Sequence, residues 1–282
     1  VFDKVSVFYD KWSKIPSFKD DESENFKLNF FKDNLESMKL YKFIPFDGSS
    51  TLDKIKLNTL FNNELWLCAP YIFEDETECA LNVNVYEVVK LYKKQGLDQI
   101  NELKKQIACF REMNDICCFT NSIRADMWKH YANNYNGICC EFEMFNSNYF
   151  FPVLYCDKEN FDLTEIYQKS IKEARNPNIA LENLNFIANV SPVLKDKQLY
   201  KYEKEIRLVS CDEYDDKNGK VGGTIYPCNK KRENYPGVSM SYKKAGLKLN
   251  KIFLGKNLDF SIANSIISNS KTKCELYKEE NI

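Results

Sequence analysis

The chain has 282 residues, room for one large domain or two small ones, and 44% of them are hydrophobic, with 20 Phe, 17 Tyr and 3 Trp. That composition excludes disorder and allows a substantial core. Its 40 basic and 41 acidic residues leave a net charge of −1, which excludes a bulk electrostatic polyanion binder but leaves room for a local basic groove. No run approaches the ~18 consecutive apolar residues of a membrane helix. The opening Val1-Phe2-Asp3 does not read as a secretory signal, so a cytoplasmic protein that meets no membrane is expected.

Five of the basic residues are arginine: Arg111, Arg124, Arg175, Arg207 and Arg232. Arginine is the fork-shaped donor suited to carboxylate or phosphate, so each is a stronger candidate for a specific contact than any lysine. The 11 cysteines are odd in number and irregularly spaced, which reads as reduced thiols acting mostly as small hydrophobes. Cys117-Cys118 and Cys139-Cys140 each lie within an apolar run, so each pair is expected to point to opposite sheet faces. There is no C-x-x-C pair and a single histidine, His130; no metal is expected.

In chain order, residues 1–39 read as a helical N-terminal extension. Phe2, Val5, Phe8 and Trp12 recur at about one helical turn, as do Phe26, Phe30 and Leu35, and Pro16 with the acidic run Asp20-Asp21-Glu22 splits the segment in two. Residues 40–282 read as a single domain. Leu40 to Ile44 is a strand ended by Pro45 and the Asp47-Gly48 turn signal, Leu52 to Phe61 is a helix, and Leu65 to Ala69 is a strand stopped by Pro70. After the acidic loop Glu74, Asp75, Glu76, Glu78 come two helices across 80–110, a strand at Ile116 to Thr120, and a helix over about 125–134 with Gly137 as its exit residue. Ile138 to Phe142 is a strand, with a hairpin partner expected at Phe151 to Tyr155. A helical insert occupies about 161–200, a strand covers 203–210, and a loop with Gly219, Gly222, Gly223 and Pro227 leads to a final strand, helix and strand at 247–254, 258–268 and 273–278. Helices and strands mix without a βαβ rhythm, so the fold class is α+β, a mixed or antiparallel central sheet with peripheral helices and the insert. None of the 9 glycines falls in a phosphate-binding frame. The insert, segmented by Pro177 and Pro192, is expected to pack outside the sheet and to carry selection of a partner or substrate.

Three constellations can carry chemistry. On a strand of period two, Glu203, Glu205 and Arg207 share one face while Tyr202, Ile206 and Leu208 take the other. Carboxylates two residues apart lie about 7 Å from each other and can serve one pocket; the alternative is a solvated face with Arg207 paired to a neighbour. Asp126 to Asn133 places Trp128 and Tyr131 on one side of a helix, with His130 as a structural residue or a ligand contact. The acidic loop is either solvated or, if it meets Glu203 or Glu205, a site for a hard cation.

Read together, these pieces resemble a family. Leu40-Tyr41-Lys42-Phe43, then Asn63-Glu64-Leu65-Trp66-Leu67-Cys68-Ala69-Pro70 with Phe73, Asp75 and Glu78, resembles the opening of the bacterial domain-of-unknown-function 2971 family. Cys118-Phe119-Thr120, Met127-Trp128-Lys129-His130-Tyr131-Ala132 with Gly137-Ile138, Tyr202 to Arg207, and Ile252-Phe253-Leu254-Gly255 are similar to its later motifs, in order. Glu74 and Glu76 depart from that family's Asn and Pro. A more distant resemblance, in layout, is to ADP-ribosyltransferase-like folds: a Tyr-bearing first strand, a hydroxyl residue ending a middle strand and a Glu on a late strand. It implies split sheets holding NAD as substrate, with Glu205 on the ribose and Glu203 orienting or deprotonating an acceptor. Tyr41, Lys42, Thr120, Trp128, His130 and Tyr131 would line the nucleotide site. Lys42 stands where those enzymes carry His or Arg, and Thr120-Asn121-Ser122 only loosely matches their Ser-Thr-Ser segment.

Membership in the unknown-function family names no reaction, and whether the chain is an enzyme stays open. One reading is an NAD-consuming effector in a defence or toxin setting, its partner a small nucleotide and its protein or nucleic-acid acceptor unnamed. A second is a metal-dependent nuclease using Asp75, Glu78, Glu203 and Glu205, with Arg207 or Lys204 on phosphate. The third is a non-catalytic sensing or binding module.

Overall fold

The computed structural model describes residues 4–12, 20–48, 50–70, 73, 79, 81–92, 96–112, 114–156, 162–172, 190–196, 201–210 and 237–277. The acidic loop Glu74, Asp75, Glu76, Glu78 and the glycine-bearing loop 211–236 lie outside these residues, as do 173–189 of the insert.

The helices are α1 (Val5–Trp12), α2 (Asp20–Asn34), α3 (Ser50–Phe61), α4 (Val85–Val89), α5 (Leu97–Glu112), α6 (Ala125–Tyr131), α7 (Thr164–Lys172), α8 (Tyr242–Ala245) and α9 (Phe260–Asn269). The strands are β1 (Lys39–Pro45), β2 (Glu64–Cys68), β3 (Asp115–Thr120), β4 (Gly137–Met144), β5 (Phe150–Pro152), β6 (Leu154–Cys156), β7 (Leu194–Asp196), β8 (Glu205–Ser210), β9 (Gly237–Ser241), β10 (Leu247–Leu254) and β11 (Lys273–Leu276). Nine strands form one mixed sheet in the order β11-β10-β4-β1-β3-β2-β9, with β8 on β3 and β5 on β8. All its pairings are antiparallel except β10 with β11. β6 and β7 form a separate parallel pair. The class is α+β.

The sheet forks at β3. One edge of β3 pairs with β8 from Asp115↔Ser210 to Thr120↔Glu205. Its other edge meets β1 only at Tyr41↔Thr120 and β2 only at Cys68↔Ile116. Between those contacts the ammonium of Lys42 donates to the Cys118 carbonyl at 3.4 Å, supplying a partner the ladder does not.

Strand alternation divides the sheet into two faces. Leu40, Cys140, Phe142, Phe119, Ile206, Leu208, Phe150 and Ile252 point into the largest core, closed by Phe31 and Leu35 at α2, Leu60 of α3 and Ile266 of α9. The opposite face carries two apolar patches. At one end Phe43 and Cys139 pack under Met127 and Trp128 of α6. At the other, Phe151 and Val209 pack under Val5, Phe8 and Tyr9 of α1 and under Val190, Val193 and Leu194. Cys139 and Cys140 enter different cores, as the alternation requires. Tyr9 also donates a buried hydrogen bond to the Pro152 carbonyl at 2.7 Å. The N-terminal helices are thus built into both faces. α4, α5 and α7 close a smaller cluster around Val88, Leu103 and Tyr167.

Several expectations change. Gly137 does not end α6: Asn133, Asn134 and Tyr135 take the left-handed backbone instead, and Gly137 begins β4, where a Cβ would stand 2.5 Å from the Ile44 carbonyl oxygen. Phe151 to Tyr155 does not hairpin with β4, whose neighbours are β1 and β10; Phe150 to Pro152 pairs with β8 and Leu154 to Cys156 with β7. The insert is not wholly peripheral, because residues 190–194 cover the sheet beside α1. β9 and α8 were not anticipated by the hydrophobic pattern.

Candidate functional site

A polar row crosses the sheet between the two apolar patches. Register places Glu141, Tyr41, Thr120 and Glu205 side by side on β4, β1, β3 and β8, so neighbouring strands at ~4.8 Å put the Tyr41 and Glu205 backbones about 10 Å apart. One step along β8, Arg207 sits opposite Cys118 on the same face.

Glu203 does not belong to that strand. It ends a 3-10 turn over Lys201–Glu203, and Lys204 follows at φ 48°, a left-handed kink that breaks the period-two alternation. The chain turns, yet Glu203 returns to the cluster through a residue that sequence reading missed. Lys195 Nζ lies 2.5 Å from Glu203 Oε2 and 2.7 Å from Glu205 Oε2, bridging the two carboxylates from β7. Arg207 Nε donates to Glu205 Oε1 at 2.7 Å, and its Nη1 donates to the Pro192 carbonyl at 2.7 Å and to Cys79 Sγ at 3.1 Å. Glu203, Glu205 and Arg207 are 2%, 4% and 0% exposed; this is no solvated strand face.

Hydroxyls complete the network. Thr120 Oγ1, itself buried, donates to the Glu203 carbonyl at 2.8 Å. Tyr131 donates from its phenol to Glu203 Oε1. The Glu205 amide donates to the Tyr155 hydroxyl at 2.8 Å. Tyr41 donates to Glu141 Oε2 at 3.3 Å, an oxygen it shares with Lys39.

Burial and charge drive the two carboxyls apart. Burial alone would raise Glu205, but the Arg207 guanidinium and the Lys195 ammonium outweigh it and hold the carboxyl well below the usual range. At Glu203 burial prevails: Lys195 opposes it, the negative Glu205 adds to it, and the carboxyl titrates above its ordinary value. The site thus holds two neighbouring carboxyls whose titrations are driven to opposite sides of the usual range, an arrangement that can separate an electrostatic role from an acid–base one. The Tyr131 and Tyr155 phenols are pushed up by burial and then by Glu203 and Glu205 respectively, so both stay neutral, Tyr131 as a donor to Glu203 and Tyr155 as the acceptor of the Glu205 amide.

The other expected residues fall elsewhere. Lys42 is on the opposite sheet face from Tyr41, alternating with it and paired with core residue Cys140; its ammonium lies 5.9 Å from the Phe119 ring centroid. Trp128 is 0% exposed and is packed among Phe43, Tyr135 and Tyr277 at ring distances of 5.3, 5.6 and 4.7 Å. His130 is exposed, its ring 6.4 Å from that of Tyr202. Tyr131 and Tyr202, 37% and 38% exposed, form the wet rim over Glu203, with Arg124 donating to the Tyr202 carbonyl. The structure therefore joins Tyr41, Thr120, Tyr131, Glu203, Glu205 and Arg207 and leaves Lys42, Trp128 and His130 outside.

Lys195, Tyr155 and the Pro192 carbonyl join the site unannounced. The one local signal was Lys195 itself, the first of the charges Lys195-Asp196-Lys197 directly after the apolar run Val193-Leu194.

Among the described residues no group of three His, Cys, Asp or Glu is placed to hold a metal ion, and no helix is long and apolar enough to cross a membrane. No curated protein and no solved structure matches the chain. Residues 127–208, the stretch that runs from α6 to β8 and contains Tyr131, Lys195, Glu203, Glu205 and Arg207, match the model of the family described as Protein of unknown function (DUF2971).

Proposed function

We propose that this face cleaves the N-glycosidic bond of a nucleotide, with NAD as substrate, in the manner of the ADP-ribosyltransferase-like enzymes whose layout it resembles. The observation that carries the reading is the row Tyr41–Thr120–Glu205 on three adjacent strands beside the fork, with Glu205 and Glu203 shifted in opposite directions. Breaking a ribosyl bond develops positive charge on the sugar, and a carboxylate already ionised in a water-poor site opposes that charge without reorganising. Glu203, proton-bearing more readily, suits transfer to or from an acceptor hydroxyl. Substrate enters past Tyr131 and Tyr202, whose rings offer apolar walls, and displaces the Tyr131 phenol from Glu203. The chain would work in a reducing cytoplasm, consistent with the free thiols of Cys68, Cys79, Cys117, Cys118, Cys139, Cys140 and Cys274.

The metal-dependent nuclease is the weaker reading. Lys195 occupies the position between the two carboxylates that a divalent cation would take, and Arg207 neutralises the remaining charge.

The test is incubation with NAD and detection of released nicotinamide, with thermal shift by NAD alongside. Release that vanishes in Glu203→Gln while NAD still raises the melting temperature is the expected result. Neither release nor a shift from the wild-type protein overturns the proposal.

A further inference from the structure

β11 closes one side of the sheet, and β10 is its only partner among the described residues. Such an edge offers a row of unpaired backbone groups to another strand. Its register with β10, together with the Tyr277 amide donating to the Leu254 carbonyl, settles which groups face out. In a parallel pair alternate residues bond inward, so Lys273, Glu275 and Tyr277 bond to β10 and Cys274 and Leu276 present their amides and carbonyls outward.

We infer that β11 pairs antiparallel with β11 of a second copy of this chain, on a two-fold axis at Cys274. Antiparallel strands match outward-facing residues with outward-facing residues, so the axis can pass only through a residue, not between two. An axis at Glu275 sets Glu275 against its own copy, and an axis at Lys273 does the same with two ammonium groups; both are repulsive. An axis at Leu276 sets Glu275 opposite Tyr277 and forms no ion pair among the described residues. An axis at Cys274 sets each Lys273 directly opposite a Glu275 of the other chain, twice by symmetry. Those pairs fall at the non-hydrogen-bonded position, where side chains approach most closely.

The surroundings suit a like partner. The ten residues of α9 include no charged side chain, and Phe260 and Ile267, seven apart on one helix face, are 78% and 54% exposed. α9 and Cys274 pack against the same core through Ile262, Ala263 and Ile266, so both copies of α9 come to one side of the joined sheet. Leu276, 59% exposed, gains a cover from the partner strand. On the other side, Lys251 and Lys273 both contact Glu275, a charge cluster that the second copy continues.

Sedimentation across a concentration series tests the pairing on the full chain. The wild-type protein is expected to dimerise, Lys273→Glu and Glu275→Lys each to weaken the dimer about tenfold or more, and the double reversal to restore it. Both side chains are at the surface, so folding is preserved, and circular dichroism checks this. A wild-type monomer at every concentration overturns the inference. So does a dimer indifferent to both single reversals, or one that the double reversal fails to restore.

Discussion

Arg207 donates from Nε to Glu205 Oε1 at 2.7 Å, two residues along the same strand, and neither side chain is open to water. Such a pair is expensive to break from one side, because the survivor is left charged and buried. Glu205→Gln and Arg207→Met should each cost about 3–5 kcal/mol of stability. Glu205→Gln combined with Arg207→Met should cost clearly less than the two single losses together, since it removes both charges. Urea denaturation of the three variants measures this. Equal and additive losses would mean that the two groups do not depend on each other. A turnover assay on Glu205→Gln must therefore be read against a lowered melting temperature.

Lys195 lowers the titration of both Glu203 and Glu205, and Lys195→Met should make stability depend on pH differently. With the ammonium gone, Glu203 rises further and Glu205 loses part of its depression. A carboxyl held below its unfolded value stabilises above about pH 4.5 and loses that contribution as pH falls through its folded value; one held above it stabilises at low pH and loses that as pH rises. Both changes act in the same direction. The Glu205 part of the gap is already open near about pH 4, since that carboxyl is held well below the usual range, and the Glu203 part widens it as pH rises toward about pH 8. Urea midpoints over that range give the answer, and a gap independent of pH would show that Lys195 acts by packing alone.

β1, β2 and β3 were legible because each is a short apolar run with a turn signal or Pro at its border, and Pro45 and Pro70 stop the chain where the strands stop. The Phe8 and Phe26 periodicity likewise placed two helices before residue 39. The pairing of β5 was not legible, because its three residues carry no register of their own and long-range docking chooses the neighbour. The Glu203–Glu205–Arg207 grouping was reached by an incorrect route. Strand alternation was assumed where Lys204 kinks the backbone, and it is Lys195 that draws Glu203 back. An ion pair between separate segments leaves no period in the sequence. Lys42 shows the reverse error: neighbouring Tyr41 in a motif sets it on the opposite face of a strand.

Gly137 lets the start of β4 close on β1, and Gly255 lets the end of β10 close on the turn before β4. A Cβ on Gly255 would meet the Tyr135 carbonyl oxygen at 2.1 Å, and one on Gly137 the Ile44 carbonyl oxygen at 2.5 Å. Those neighbours are backbone and cannot rotate away, so Gly137→Ala and Gly255→Ala should each destabilise by about 2 kcal/mol or more. Gly48, at φ 81° with nothing near its missing Cβ, is the control. Gly48→Ala meets only the left-handed penalty of about 1 kcal/mol. Thermal melts of the three should rank in that order.

Tyr131→Phe separates chemistry from folding better than any change to the ions. The phenol donates to Glu203 Oε1, while the ring is 37% exposed at the rim, so removing the hydroxyl leaves packing in place. Glu203 keeps its bond to Lys195, and the stability loss should stay near about 1 kcal/mol. The effect on Glu203 should be larger: with one donor fewer to its carboxylate, its titration rises further. If Glu203 takes a proton from an acceptor, the acid limb of kcat/KM for nicotinamide release, which reports the free enzyme where the phenol still meets Glu203, should move to higher pH in Tyr131→Phe, with the melting temperature nearly unchanged. An unshifted profile would leave Tyr131 as a cover over Glu203 and place the proton transfer elsewhere.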